Sequence, residues 1–382
     1  MKNDELLTRG VSNVTPKDLA EKKLKSGKPI RLYLGIDPTG SKLHLGHSVP
    51  LRKLKAFQEA GHEVIFLVGS FTAMIGDPSG RDKQREALTE EQVEENFQTY
   101  KDQASKILDF RKVQLRYNHE WLESLTVKEL AGLATHFTVQ QMLERDMFQE
   151  RMKKGNPIAI LEFLYPLMVG YDSVVLDVDL EVGGNDQYFN LLAGRTLQTA
   201  LGKRDKFVLT TKLIEGTDGR KMSKTYNNCI YLDDEPRNMF GKVMSVQDIL
   251  METYFECCTD VPMSEVQQIL GGEPRDAKAR LAREIVTLYH GESAAFEAEN
   301  AFTKVFSRGE LPDDMSEIKV KKGSMLLDVL VSEGLIASKS DARRLVEQGG
   351  IKLNNTPVAS IEAQAEEGVV TIGKRKFVRL RF

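Results

Sequence analysis

Cysteine is scarce in this chain: three thiols, Cys229, Cys257 and Cys258, serve 382 residues. So few thiols exclude a disulfide framework and point to a reducing compartment. The adjacent pair reads as partly buried helix residues, not as a redox site. Long apolar runs are missing too. No stretch approaches the roughly 18 residues a membrane-crossing helix needs, and the opening residues, MKNDELLTRGV, are polar where a secretory leader would be apolar. A soluble, cytoplasmic protein is the expectation. Charge of one sign is also in short supply. The net value is only −3, so the whole molecule does not announce a nucleic-acid partner. Two common phosphate signatures are absent: no GxGxxG follows a strand-like run, and GDPSGR at 76–81 is too short for a Walker A loop.

What is present is length enough for two or three domains and two glycine-bearing loops. RLYLGI at 31–36 alternates like a strand, and Gly40 breaks it. A helical pattern follows through Leu45, Val49, Leu51, Leu54 and Phe57, stopping at Gly61. Pro50 fits a first turn better than a helix interior, which predicts a helix start near His47 or Ser48. His44, Gly46 and His47 therefore lie where a strand meets a helix N-terminus, an end that favours phosphate. Two imidazoles can donate to phosphate oxygens, and Gly46 lets a flat base approach the backbone. A surface helix with two histidines fits the same letters. Zinc fits less well, since no cysteine or third ligand lies nearby.

The second loop, GTDGRKMSKT at 216–225, carries Arg220, Lys221 and Lys224. A mobile loop of this composition can bring ammonium groups onto a triphosphate as pyrophosphate leaves. An ordinary basic surface loop fits the bare pattern as well.

Around these loops the chain falls into three parts. From about 30 to 225, strands alternate with helices: VIFLVG (64–69), VQLRY, SVVLDV and KFVLTT read as strands, and 89–108 as a helix opening on a Thr89–Gln92 capping box. That helix buries Val93, Phe97, Tyr100, Ala104 and Ile107. The alternation predicts an α/β fold with a doubly wound parallel sheet and its ligand at the carboxyl ends of the strands. Residues 226–315 turn mostly helical, and 308–319 reads as a linker. Residues 319–382 hold twelve Lys or Arg against seven Asp or Glu, a surplus of five that leaves the rest at −8. An anionic partner for the tail alone follows from that asymmetry.

Between the loops stand GDPSGR (76–81), TVQQMLERD (138–146), EFLYPLMVGYD (162–172) and GGNDQYFNLLAGR (183–195). With HLGH and KMSKT in this order, the chain resembles the tyrosyl-tRNA synthetases, class I aminoacyl-tRNA synthetases, in their shorter bacterial form. The resemblance covers essentially the whole sequence. It implies a Rossmann-like catalytic domain over 1–225, a helical tRNA anticodon-binding domain over 226–318, and a small α+β RNA-binding domain of the S-four type over 319–382. The implied reaction joins tyrosine to ATP as an adenylate and then passes tyrosyl to the 3′ end of tRNA. The family acts as a homodimer, and magnesium would arrive with the nucleotide, without a protein metal site.

The same resemblance distributes the roles. His44, Gly46 and His47 would hold ATP, with Asp37 on the same edge, and His44, His47, Lys221 and Lys224 would be the catalytic set. Gly184 and Asp186 would take the ribose. Gln187 would lie near the amino-acid carboxylate and the α-phosphate. Tyr33 and Asp172 would bond the substrate phenol, and Asp77 and Tyr165 its ammonium group. The family's third ammonium partner is a glutamine, where this chain has Val169, so water or a neighbour such as Glu181 would stand in. In the tail, SKSDARRLVEQGGIKLNN resembles the S-four fold, with Arg343 and Arg344 on a helix, Lys339 just before it, and Gly349–Gly350 ending it. Three alternatives stay open: a synthetase-like RNA-binding factor without activation, a tryptophan-activating relative, and a nucleotidyltransferase without tRNA.

Overall fold

A computed structural model describes residues 5–77, 88–308, 316–373 and 376–382. The chain divides into two compact units, Met1–Ala295 and Phe296–Phe382. The first opens with β1 (Val11–Thr15), α1 (Lys17–Lys25), β2 (Arg31–Ile36), α2 (Leu45–Glu59), β3 (Glu63–Val68), α3 (Thr72–Ile75), α4 (Glu90–Ala104) and β4 (Gln114–Tyr117). Four short helices follow, α5 (His119–Leu122), α6 (Val127–Ala134), α7 (Val139–Leu143) and α8 (Asp146–Lys153). Then come α9 (Leu161–Leu176), β5 (Leu180–Gly184), α10 (Tyr188–Ala200) and β6 (Phe207–Thr211). The helical stretch holds α11 (Pro236–Met244), α12 (Met251–Cys258), α13 (Met263–Leu270) and α14 (Pro274–His290), and α15 (Glu292–Arg308) crosses into the second unit.

The sheet order is β1-β6-β5-β2-β3-β4, parallel throughout except for β1, which runs antiparallel to β6 at the edge. Val64 to Val68 of β3 are all buried, as expected of a parallel strand covered on both faces. From β2 the chain winds outward through β3 and β4, then returns through β5 on the other side of β2. The reversal lies between β2 and β5, where doubly wound sheets take their ligands. The edge strand β1, VSNVT, is not among the strands expected from the sequence.

Three local readings need correction. The helix after the first loop starts at Leu45, with His44 as N-cap, so Pro50 sits in the second turn. Its first turn is anchored from outside: Leu45 N–H donates to the Ile230 carbonyl at 2.9 Å and Leu232 N–H to the Leu43 carbonyl at 2.9 Å. That support lets the helix begin upstream of the proline. SVVLDV is not a strand. Ser173 to Leu176 are the last turn of α9, which closes on left-handed Asp177, and the strand is the next segment, β5. A short apolar run cannot by itself distinguish a buried strand from a buried helix turn. The helix opening on the Thr89–Gln92 box, which is present, ends at Ala104 instead of 108, although Ile107 stays buried.

The helical stretch is joined to the sheet layer by Arg9. Its buried guanidinium donates to the carbonyls of Phe255, Glu256, Thr259 and Val261 at 2.8–3.2 Å, around the carboxyl end of α12. Such a cation offsets the unpaired carbonyls of a helix C-terminus. Cys257 and Cys258 are free, buried thiols in the same helix end.

The second unit contains β7 (Ser316–Lys319), α16 (Leu326–Ser332), α17 (Lys339–Glu347), β8 (Ile351–Leu353), β9 (Thr356–Pro357), β10 (Gly368–Ile372) and β11 (Lys376–Arg381). Its sheet order is β7-β11-β10-β8-β9, with β7 parallel to β11 and the other pairs antiparallel. Leu326, Leu330, Ala342, Ile351, Val370 and Val378 form its core. Of the linker expected at 308–319, residues 309–315 lie outside the described residues, and the last four form β7. Lys339 is the first residue of α17 and not the residue before it; Ser338 caps that helix. Among the described residues, no helix is long and apolar enough to cross a membrane.

Candidate active site

The two glycine-bearing loops meet beyond the carboxyl ends of the parallel strands. His44 caps α2 and pairs in a short antiparallel bridge with Tyr231, downstream of the second loop. The rings of His44 and His47 lie 3.8 Å apart, and the His44 N–H donates to His47 Nδ1 at 3.2 Å. Burial chiefly, then His47, Lys224 and Lys221, pushes the His44 imidazolium down to about 2. Burial and the same two lysines push His47 down to about 3. Both rings are therefore neutral near pH 7 and can act as N–H donors, not as cations. His44 Nδ1 is buried and has no hydrogen-bond partner among the described residues. Gly46 is the second residue of α2.

Lys224 reaches the first loop directly. A methyl group built on Gly40 would stand 2.8 Å from Lys224 Nζ, so any side chain there would push the ammonium aside. The same ammonium lies 5.8 Å from the centre of the Tyr100 ring, itself 6.5 Å from the His47 ring. Lys221 pairs with Asp186 at 2.9 Å, just past Gly184 at the end of β5. Arg220 behaves differently: it pairs with Asp218 at 2.5 Å and stacks 4.3 Å from the Tyr226 ring. Buried Asn228 pins the loop, donating to Asp218 Oδ1 at 2.7 Å and to the carbonyls of Arg220 and Lys221, while Ser223 N–H donates back at 2.8 Å.

The other predicted residues gather at the neighbouring strand ends. Asp37 follows β2 and accepts from Tyr165 OH at 2.8 Å and from Thr72 Oγ1 at 2.7 Å. Asp77 accepts from Gln187 Nε2 at 2.8 Å, and Gln187 Oε1 accepts from Asn190 at 2.7 Å. Pro78 to Arg81 of the same motif lie outside the described residues. Tyr165, Val169 and Asp172 fall at i, i+4 and i+7 of α9 and so share one face. Asp172 is buried, accepting from Trp121 Nε1 at 2.8 Å and Asn118 Nδ2 at 3.2 Å. Burial raises its pKa well above the usual range, against these two hydrogen bonds. Tyr33, in β2, shares its hydroxyl with Ser173 at 2.9 Å.

Several residues at the site carry no local sequence signal. Thr72, Asn118, Trp121 and Asn228 each hold a predicted residue in place, from positions 35 to 54 residues away for the first three. Arg145 lies 4.8 Å from the Phe189 ring, and the charge of Asp77 acts on it. Of the two stand-ins expected for the missing glutamine, water or a neighbour such as Glu181, the latter already accepts from Lys206 and Ser173 through its Oε2. Among the described residues, no three His, Cys, Asp or Glu side chains cluster as a metal site. In the second unit, exposed Lys339 and Arg344 pair with Asp328 at 2.7 Å and Asp341 at 2.8 Å, and Arg343 is exposed beside them.

Residues 25–307 match the family described as tRNA synthetases class I (W and Y), and 308–380 match the tyrosine–tRNA ligase SYY-like C-terminal domain. The tyrosine–tRNA ligase of Carboxydothermus hydrogenoformans is 46% identical, over 99% of this chain and 97% of that protein. The tyrosine–tRNA ligase of Thermotoga maritima is 45% identical, over 98% and 96%. Among solved structures, a C-terminally truncated mitochondrial tyrosyl-tRNA synthetase of Aspergillus nidulans superposes with a TM-score of 0.66 at 25% identity, covering 80% of this chain and 94% of that one. The Archaeoglobus fulgidus tyrosyl-tRNA synthetase, complexed with L-tyrosine, shares the fold with a TM-score of 0.62 at 21% identity, over 78% and 98%.

Proposed function

This chain belongs to the class I tRNA synthetases of the tryptophan and tyrosine family and joins tyrosine to tRNA using ATP, and on that premise we propose how its residues divide the work. The observation that carries the reading is the meeting of Lys224 with the first loop, beside two neutral histidines, with the Tyr165–Asp37 pair at the end of the same strand and the Gln187–Asp77 pair at neighbouring strand ends. Phosphate donors and amino-acid acceptors thus share one edge of the sheet.

The tyrosine carboxylate is already a nucleophile, so its attack on the α-phosphate needs no base. Catalysis is positioning, with stabilisation of the charge that develops on the phosphates. His44 and His47 donate N–H bonds to the nucleotide, Gly46 lies under its base, and Asp37 closes the edge. The exposed Lys221–Asp186 pair is weak enough to exchange. Asp186, with Gly184, then takes the ribose, and Lys221 joins Lys224 on the departing pyrophosphate. Asp77 and Tyr165 turn from their present partners to the substrate ammonium, which frees Gln187 for the carboxylate. Tyr33 and Asp172 face the phenol. Magnesium enters with the nucleotide and neutralises phosphate charge there.

The test is tyrosine-dependent exchange of labelled pyrophosphate into ATP, compared with phenylalanine. Phenylalanine brings no hydroxyl to the buried Asp172 and Tyr33, and the hydrogen bonds that each would make to the phenol go unmade, a strong penalty. Tyrosyl-tRNA synthetases are the standard illustration of this discrimination, achieved by the binding site alone and without editing. Comparable exchange rates with the two amino acids would sink the pocket assignment.

The remaining proposals concern the whole protein. Residues 1–225 activate tyrosine, 226–318 meet the anticodon end of tRNA, and 319–382 add affinity through Lys339, Arg343 and Arg344, mostly on phosphates. The protein works in the cytoplasm, where its three thiols stay reduced. It works as a homodimer through the α6–α9 stretch, where Val127 is 84% and Ile160 78% exposed and Val139 is exposed as well. Light scattering giving the mass of a single chain at micromolar concentration would reject the dimer.

A further inference from the structure

Four elements bring together a buried polar cluster of which Tyr33 alone touches a substrate in the proposed reaction. Tyr33 and Glu181 are register partners in neighbouring parallel strands, so their side chains leave the sheet on one face. Ser173 comes from the last turn of α9, and Lys206 immediately precedes β6. All four are at most 3% exposed. Lys206 Nζ donates to Glu181 Oε2 and to Ser173 Oγ, and reaches the Leu191 carbonyl at 3.4 Å. Ser173 Oγ donates to Glu181 Oε2 at 3.1 Å and lies 2.9 Å from the Tyr33 hydroxyl. The α10 helix makes room with glycine: a methyl group on Gly194 would stand 2.5 Å from both Lys206 Nζ and Ser173 Oγ.

The bonds to Lys206 and Glu181 have set directions, since an ammonium only donates and a carboxylate only accepts. A serine hydroxyl has one proton and two lone pairs. The proton of Ser173 goes to Glu181, which can only accept, and one lone pair takes a Lys206 N–H. The Tyr33 hydroxyl completes the set at 2.9 Å, in a bond where either oxygen can be the donor. One side of the Tyr33 hydroxyl is thereby fixed inward, and the other is left for the substrate. A buried ion pair is seldom a net gain in stability over apolar packing. Its value here lies in the hydroxyl that it aims.

We propose that Ser173, held by the buried Lys206–Glu181 pair, is a positioning residue for amino-acid selection, fixing the Tyr33 hydroxyl so that tyrosine is distinguished from phenylalanine. The proposal rests on the assignment of Tyr33 to the phenol end of the pocket. A double-mutant cycle separates the two. Pyrophosphate exchange is measured with tyrosine and with phenylalanine for the native protein, Ser173→Ala, Tyr33→Phe and the double variant. Ser173→Ala is expected to raise the tyrosine KM about five- to tenfold, the scale of one neutral hydrogen bond. It leaves the tyrosine kcat and the phenylalanine kcat/KM within about twofold, and it adds nothing in the Tyr33→Phe background. A fold merely loosened by the substitution would lower kcat and both amino acids together.

If Tyr33→Phe erodes the selection and Ser173→Ala does not, the positioning role is wrong and the pocket stands. Additive effects would equally overturn it, since Ser173 would then act independently of Tyr33. If Tyr33→Phe itself leaves selection intact, the pocket assignment falls and takes this proposal with it. Should Ser173→Ala not fold, Lys206→Met combined with Glu181→Leu removes both charges together and leaves neither buried alone. Loss of tyrosine preference in that variant supports the proposal, and full preference overturns it.

Discussion

Val169 stands one turn from Tyr165 on the face of α9 that also carries Asp172, at the position where the sequence resemblance implies a glutamine for the substrate ammonium. Valine offers nothing polar, and a hydrogen bond to a charged group is worth about 1.5–3 kcal/mol. Glu181 is a poor substitute, because its Oε2 already accepts from Lys206 and Ser173. Water is the partner left, at a smaller net loss. The native protein is therefore expected to be active with a modestly raised tyrosine KM. Val169→Gln should lower that KM in pyrophosphate exchange and leave the preference over phenylalanine unchanged, since the position serves the ammonium end alone. A glutamine variant with a higher KM would mean that the pocket has been rebuilt around valine.

At the scale of elements, the second loop is a folded turn hung on Asn228, and its three cations do three different things. Arg220 closes on Asp218, Lys221 on Asp186, and Lys224 projects across to Gly40. Lys224→Ala should therefore slow single-turnover adenylate formation by an amount worth about 2–4 kcal/mol, the scale of one preorganised transition-state donor. Tyrosine binding should change little, because pyrophosphate charge builds up only as the bond breaks. An unchanged single-turnover rate would show that the loop is idle. The loop, the helix α2 and the strands β2, β3 and β6 are legible in the sequence because their signals are local: a period of two or 3.6, a glycine, a run of cations. The same locality explains where sequence and structure part. SVVLDV is as apolar as a strand but continues the stripe of α9. Pro50 looks like a start signal because the backbone bonds that support the earlier turn, to Ile230 and from Leu232, come from far away in sequence. Ser173, Lys206, Asn118 and Trp121 are invisible for that reason. The Tyr33–Ser173 bond spans 140 residues, and no spacing rule reaches so far.

At the scale of the whole molecule, the charge asymmetry read from the sequence coincides with a separate core. Every buried side chain in the core of the second unit lies at Val320 or beyond, and all proposed activation residues precede position 230. Cutting at 319, inside β7, thus removes that whole buried cluster, leaves only Ser316 to Ile318 of its sheet, and keeps every strand of the first sheet. The cut also takes away Lys339, Arg343 and Arg344, and the exposed ion pairs of Lys339 and Arg344 cost little to exchange for phosphates. A protein lacking 319–382 should retain pyrophosphate exchange within about twofold, because no group that stabilises the transition state is lost. Its charging of tRNA should fall, with weaker tRNA binding and a shallower dependence of that binding on salt. Each phosphate contact removed takes about 0.7–0.9 from the slope of log K against log salt. The measurements are exchange, charging and a salt titration of tRNA binding on the same two proteins. Loss of exchange along with charging would place the tail within the catalytic unit. An unchanged salt slope would move the RNA contact away from α17 and onto the helices between 226 and 318.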